Sequence, residues 1–213
     1  MQPHEYSIIG HNRASVGKGL WLVMTLVASA AVVVLAMVKD WAAAFGFPPV
    51  IINAIAFPVS AATIYPLGFV VFNKWIWKWP WISKILGVPN LSGKWECEGQ
   101  KVGGVGISAP EDWQGELVIS QTWDKIRVYL RTGKSDSKSV AASLLYEPER
   151  GYVLMYSYRN EPHLSNEKMS PHVGYCELVL DESLTHGEGD YFNNRGRVTW
   201  GRMSLRKMNA SAQ

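Results

Sequence analysis

Tyr156-Ser-Tyr158-Arg-Asn160 and, further along the chain, Arg195-Gly-Arg197-x-Thr199 carry the side chains best suited to chemistry. Arginine donates forked, charge-assisted hydrogen bonds to phosphate. Tyrosine rings stack on bases, and Asn and Thr pair with base edges. Together with His172 and Tyr191, the set Tyr156, Tyr158, Asn160, His172, Tyr191, Arg197 and Thr199 suits an anionic ligand with aromatic parts, such as a small nucleotide. A filled interior, with Tyr and Arg bonded to one another, would use the same residues. Against that stands the cost of burying a guanidinium without an anion.

Bond-breaking chemistry finds no support. There is no Gly-x-Ser-x-Gly, and the five histidines show no metal spacing. Gly103-Gly-Val-Gly106 lacks the Lys-Ser/Thr of a phosphate loop and reads as a flexible connection. His186-Gly-Glu188-Gly-Asp190 reads as a strand with exposed carboxylates rather than a metal site. The expectation is a binding protein, not an enzyme, with no metal and no cofactor beyond its ligand.

These residues need a scaffold that turns them to one place. From Leu91 the apolar period is two. Eight runs alternate or are β-rich: Gly93–Gly99, Gln114–Gln121, Lys125–Thr132, Lys138–Glu147, Tyr152–Asn160, His172–Leu180, Leu184–Phe192 and Arg197–Arg206. Regular short strands with turn signals imply an antiparallel sandwich or barrel. An even number joined by hairpin-length links favours an all-β, eight-stranded up-and-down barrel without free edges, lipocalin- or avidin-like. Gly93-x-Trp95 resembles the first-strand motif of such barrels.

Strand parity then orders the ends. The links 122–124, 148–151 and 181–183 are tight and share the end where the first strand begins. The links 100–113, 133–137, 161–171 and 193–196 share the other end, and two are long. Long loops mark the mouth at which barrels take ligands. Alternation with Met203 and Leu205 turns Arg197, Thr199 and Gly201 inward. Alternation with Leu178 and Leu180 does the same for His172, Gly174 and Cys176. In the fifth run the face bearing Tyr152, Leu154, Tyr156, Tyr158 and Asn160 is read as inward.

Before the barrel lie two uncharged apolar runs, Gly19–Val38 and Phe47–Phe72. Each is long enough to cross the hydrocarbon layer as a helix, which takes about 20 residues. The first exceeds the usual h-region of a cleaved signal peptide. Pro58, Pro66 and Asn53 fit a bent anchor or a helix prone to pairing. Small residues at 28–31 and 60–62 allow close helix approach. Trp75-Ile-Trp77-Lys-Trp79-Pro-Trp81 reads as an interfacial belt rather than an RNA-stacking surface.

The domain order is thus a polar N-terminal segment (1–18), two spans (19–72), a Trp-rich linker (73–90), the barrel (91–207) and a tail (208–213). Arg13, Lys18, Lys74, Lys78 and Lys84 flank the spans, which puts both termini and the barrel in the cytoplasm and the mouth away from the bilayer.

Residues 91–213 hold 15 Lys/Arg against 16 Asp/Glu, so the soluble part lacks the broad cationic face that DNA or long RNA requires. Cys97 and Cys176 read as small core residues, with one disulfide as the alternative.

The ensemble resembles the two-transmembrane β-barrel effectors of bacterial CBASS anti-phage systems. The resemblance rests on Leu91-Ser-Gly-Lys-Trp95, Tyr156-Ser-Tyr158-Arg-Asn160-Glu-Pro162, His172-x-Gly174, Gly189-Asp-Tyr191-Phe and Arg195-Gly-Arg197-x-Thr199-x-Gly201. It implies a receptor for a cyclic dinucleotide or related cyclic oligonucleotide made by a partner nucleotidyltransferase. It further implies homo-oligomerisation on binding, disruption of the bacterial inner membrane and abortive infection. Two rivals are a membrane-tethered calycin-like barrel for a lipid or other apolar ligand, and a structural subunit with a filled barrel.

Overall fold

The structure, a computed structural model, describes residues 2–48, 61–164, 169–195 and 197–208. The chain forms two compact units, a helical one of His11–Trp79 and a β unit of Met1–Gly10 with Pro80–Gln213.

In the helical unit, α1 runs Arg13–Ala44. Asn12 caps it, its Oδ1 accepting from the Ser15 N–H at 3.2 Å. The helix ends at Gly46, whose φ of 77° is left-handed. Its apolar side chains point outward all round, Trp21, Leu26, Val33 and Met37 among them, and Ala28 is its one buried residue. By length and composition α1 can cross a membrane. The second helix, α2, covers Ala61–Lys74 with Pro66 inside it. The rest of the expected second span, including Asn53, Pro58 and Ser60, lies outside the described residues.

The two helices approach where Gly68 of α2 faces Met24 of α1, and a Cβ on Gly68 would run into the Met24 sulfur. That contact differs from the small patches picked from the sequence, of which Ala28 is the described buried member. A 3₁₀ turn, Ile76–Lys78, follows. Trp77 is buried there, its indole N–H donating to the Asn73 carbonyl at 2.9 Å, while Trp75, Trp79 and Trp81 are exposed.

The β unit opens with a short helix, α3 (Pro80–Leu86), stopped by Gly87 at φ 63°. Strands follow at Gly93–Gly104 (β2), Glu111–Gln121 (β3), Lys125–Thr132 (β4) and Ser135–Glu147 (β5). Then come Gly151–Pro162 (β6), His172–Leu180 (β7), His186–Asn194 (β8) and Thr199–Lys207 (β9). All eight expected strands exist, and each chain neighbour pairs antiparallel. β9 closes on β2.

Several bounds shift. β2 continues through Gly103 and Gly104, which pair with Trp200 and Thr199, so half of the glycine run is strand rather than loop. β8 starts at His186, because Leu184 turns the chain with φ 55°. Arg197 precedes β9 instead of belonging to it.

The barrel is not eight-stranded and not purely up-and-down. A ninth strand, β1 (His4–Ile8), comes from the segment ahead of α1, which reads as a short polar segment in the sequence. It lies between β4 and β5 in a closed ring of order β1-β4-β3-β2-β9-β8-β7-β6-β5, in which β4 and β5 also pair directly. β1 pairs antiparallel with β4 at His4↔Ile126 and Glu5↔Lys125, and parallel with β5 at Tyr6↔Ala142, Ser7↔Ser143 and Ile8↔Leu144.

The physical cause is a bulge. The register of β5 shifts between Ser139 and Ala141, and a bulge bends its strand away from a neighbour. β4 and β5 pair directly only at Tyr129↔Lys138, Leu130↔Ser137 and Arg131↔Asp136, then diverge into a fork that β1 fills. At the fork the Ser139 hydroxyl accepts the Val128 N–H at 2.9 Å and bonds the His4 imidazole at 2.7 Å.

The interior has two halves. Toward the tight links it is packed with Val88, Leu91, Trp95, Ile126, Leu144, Leu154 and Leu180, all essentially without solvent contact. Toward the other end the inward side chains become polar, among them Lys101, Ser135, Ser137, Asn160, His172 and Asn193. Cys97 and Cys176 sit buried near the middle, both as free thiols. Burial pushes both thiols up to about 12, so neither is a nucleophile.

Candidate functional site

The polar half of the barrel contains a cavity of about 340 Å³, within the usual range for ligand pockets of about 300–1,000 Å³. Six of the seven residues singled out from the sequence line it: Tyr156, Tyr158, Asn160, His172, Tyr191 and Arg197. Thr199 stands one layer behind, its Oγ1 accepting from Asn193 Nδ2 at 2.8 Å. Strand alternation brings them together. Tyr158 opposes Gly174, Asn160 opposes His172, and Tyr191 lies between Cys176 and Gly201 across two ladders.

Glycines seat the rings. A Cβ on Gly174 would meet the Tyr158 hydroxyl at 2.5 Å, and one on Gly201 would meet the Tyr191 hydroxyl at 2.7 Å. Gly99 likewise leaves room for the Trp113 indole, which lies over it. Each aromatic ring therefore rests on bare backbone of a neighbouring strand. Trp113 donates its indole N–H to the Tyr191 oxygen at 3.0 Å, with the rings edge-on at 5.8 Å.

Hydrogen bonds fix the polar wall. The Tyr158 hydroxyl donates to Asn193 Oδ1 at 2.8 Å. Asn160 Nδ2 donates to Ser135 Oγ at 2.9 Å and Ser137 Oγ at 2.8 Å, while its buried Oδ1 finds no partner among the described residues. A buried acceptor without a donor costs about 1–3 kcal/mol, so this oxygen has an unmet capacity to accept a hydrogen bond. The His172 imidazole donates from Nδ1 to the Ser170 carbonyl at 2.9 Å in the neutral form. Burial, with Arg197 nearby, depresses its pKa below 6.5, against the raising effect of its hydrogen bonds. It is neutral at pH 7. Burial also raises the Tyr156, Tyr158 and Tyr191 hydroxyls.

Charge gathers at the rim. Lys101 is 7% exposed and pairs with Glu111, which also takes Lys134 Nζ at 2.7 Å. The hydrogen bond from Lys101, then that from Lys134, holds the Glu111 carboxyl down at about 2. Arg197 is half-buried, lines the same cavity and has no carboxylate within ion-pair distance among the described residues. Lys101, Glu111, Lys134, Trp113, Ser135, Ser137 and Asn193 were absent from the sequence expectation. Lys101 could have been found by continuing the inward series Trp95, Cys97 and Gly99 by one step. Glu111 is its cross-strand partner.

Comparison with known proteins bears on this geometry. The family model described as Cap15, cyclic dinucleotide receptor domain, matches residues 86–207. That stretch takes in β2 to β9 and every mouth residue and leaves β1 outside. Over nearly its whole length the chain is similar to CD-NTase-associated protein 15 of Yersinia aleksiciae. The two are 36% identical over 209 residues, covering 98% of this chain and 99% of the relative.

Proposed function

The chain belongs to the Cap15 family of cyclic dinucleotide receptors, and from that premise we propose that the barrel mouth is where the dinucleotide is held. One observation carries the reading. The cavity offers a guanidinium, Arg197, and a carbonyl oxygen, Asn160 Oδ1, both unpaired among the described residues, between aromatic walls. A cyclic dinucleotide presents the complement: phosphate anions, base-edge N–H groups and flat rings.

In this reading Arg197 forks onto a phosphate with charge-assisted bonds. Lys101 and Lys134, now shared with Glu111, add positive potential at the rim. Asn160 Oδ1 accepts from a base edge. Tyr158, Tyr191 and Trp113 supply stacking faces, worth about 1–3 kcal/mol per base. The neutral His172, held by the Ser170 carbonyl and beside Asn193, adds a polar edge to the cavity wall. In this reading the protein acts as a receptor and not as an enzyme. An aliphatic ligand is disfavoured because Trp95, Leu154, Leu178 and Leu180 fill the apolar half it would need.

The output lies in the helices. Binding favours self-association, and residues 11–79 then disrupt the bacterial inner membrane, ending the infected cell's growth. The messenger comes from a partner nucleotidyltransferase, in keeping with the relative's name. The outward apolar surface of α1 supports a lipid environment. Topology supports two spans. β1 and β2 belong to one unit, and a chain that leaves it after Gly10 and returns to it at Pro80 fits an even number of crossings. Lys18 before the spans and Lys74, Lys78 and Lys84 after them favour the cytoplasm for both ends.

The test is calorimetry of the full chain in detergent against a panel of cyclic dinucleotides, followed by dye release from vesicles carrying it. Heat from at least one nucleotide, and release driven by the same one, are expected. Absence of heat from every member of the panel would overturn the reading.

A further inference from the structure

We propose that the fork between β4 and β5 is a strand-exchange site, in which the β1 strand of a second copy of this chain replaces the chain's own. The trigger rests on the receptor reading above; the site does not.

The barrel does not need β1 to stay closed. Tyr129, Leu130 and Arg131 of β4 pair directly with β5 beside the mouth. Removing β1 would strip its partners from residues 125–126 of β4 and 142–144 of β5, leaving two facing strand edges. It would also empty the place of Tyr6, the one fully buried residue of β1. Such paired edges recruit another strand, and the strand that fits both is the same five-residue sequence from a neighbour. The fit is specific: Glu5 stands opposite Lys125, Ser7 bonds Ser143 across the parallel ladder, and Tyr6 receives the Gln121 amide.

The connection permits it. Residues 9–12 alone join β1 to α1. Within them Gly10 holds φ 81°, and a Cβ there would meet nothing within 4 Å, so a glycine suited to a hinge follows the Ile9 amide that bonds the Leu144 carbonyl. Exchange of an identical element through a short hinge is a low-cost route to association. Helices gathered in one bilayer would raise the effective concentration of each β1 near its neighbour's fork.

The fork is also within reach of the cavity. Ser137, bonded to Asn160 on the cavity wall, and Ser139, bonded to His4 at the fork, lie two residues apart on the same face of β5. A ligand that engages Asn160 therefore acts on the strand that holds β1.

Ser7 and Ser143 supply the test, since their hydroxyls are 2.7 Å apart on the outside of the barrel. Full-length Ser7→Cys and full-length Ser143→Cys chains are reconstituted together in vesicles, with and without cyclic dinucleotide, and oxidised. Cys97 and Cys176 are buried and do not compete. A disulfide between the two different chains is expected, increased by nucleotide. The double variant Ser7→Cys/Ser143→Cys serves as reference and should crosslink within one chain before activation. No inter-chain disulfide in either condition, while the double variant crosslinks internally, overturns exchange. Absence of crosslinking in both samples overturns the occupancy of the fork by β1 and the proposal with it. Calorimetry on the same samples separates the two readings, because missing heat sinks the receptor reading whatever the crosslinks show.

Discussion

The side-chain amide of Gln121 donates to the hydroxyl of Tyr6, 115 residues away, at 3.0 Å. The same amide nitrogen donates to the Pro89 carbonyl at 3.2 Å, and the amide oxygen accepts the Leu91 N–H at 2.8 Å. One buried side chain thus ties the strand that leads out to the helices to the segment that returns from them. Removing it leaves the Leu91 N–H and the Tyr6 hydroxyl buried without this partner. Each such loss costs about 1–3 kcal/mol. Gln121→Ala is expected to lower unfolding stability by about 2–5 kcal/mol, read from denaturant midpoints of the full chain in detergent. Tyr6→Phe removes one hydrogen bond and should cost about 0.5–1.5 kcal/mol. Equal costs for the two would show that Gln121 does not hold both connections.

Arg197→Ala separates binding from folding. The side chain is half-buried and unpaired among the described residues, so its loss should move stability by no more than about 0.5 kcal/mol. A charge-assisted hydrogen bond to a phosphate contributes about 1.5–3 kcal/mol, so affinity should fall roughly 10- to 100-fold. Calorimetry and circular dichroism on the same preparation check both halves. Unchanged affinity would move the phosphate elsewhere.

His172 gives a pH dependence with a definite sign. Its pKa is depressed in the fold below the 6.5 of the free side chain, chiefly by burial. Below 6.5 the unfolded chain takes up a proton that the folded chain refuses. Stability is therefore fully present above about pH 6.5 and declines as pH falls through that value. Glu111 and Asp181, both held near 2, keep their contribution down to about pH 4.5 and lose it only as pH falls from there towards 2. Urea midpoints at pH 5, 6 and 7 should fall more steeply for the natural chain than for His172→Asn. Parallel slopes would place the proton uptake on another group.

The ring-on-glycine contacts predict an asymmetric result for two alanines. At Gly174 the added Cβ meets the backbone carbonyl of Phe192 at 2.6 Å as well as the Tyr158 ring, and neither can step aside. At Gly99 its three nearest atoms all belong to the Trp113 indole, a side chain that lines the cavity. Gly174→Ala should cost about 1–3 kcal/mol or more. Gly99→Ala should cost less stability, yet weaken ligand binding by swinging Trp113 off Tyr191. Thermal melts and calorimetry of the pair decide it.

The inward faces of β7 and β9 were legible because apolar residues mark one side of each strand and alternation carries that mark to the polar end, whereas β6 has apolar residues on both faces, Val153 and Leu154 both being buried. Leu178 fixes the side of His172 and Met203 that of Thr199, while in β6 the tyrosine-bearing face was chosen over the one with Val153 and Met155. β1 was not legible. Five residues with a histidine and a glutamate give no period, and their partners lie more than a hundred positions away. The fork depends on a bulge at Val140, and a single extra residue leaves no compositional trace. Lys101 was hidden by ending β2 early, at glycines that read as loop but extend the strand. The polar wall of Ser135 and Ser137 was lost in the same way, as part of a presumed turn.

The marginal hold on β1 makes the last prediction. Ordering a residue's backbone costs about 1–2 kcal/mol, and β1 orders five. Against this stand the burial of Tyr6, about 1.5–3 kcal/mol, and a few hydrogen bonds at about 0.5–1.5 kcal/mol each. The balance is close, whereas β6 is paired along its full length on both sides and packed from within. The amides of residues 6–9 should therefore exchange with solvent deuterium through local opening, at least roughly 100-fold faster than those of β6. Mass spectrometry of the full chain in detergent reads both segments in one experiment. Equal protection would mean that β1 leaves only when the whole barrel unfolds, and a strand held that firmly could not be exchanged between copies.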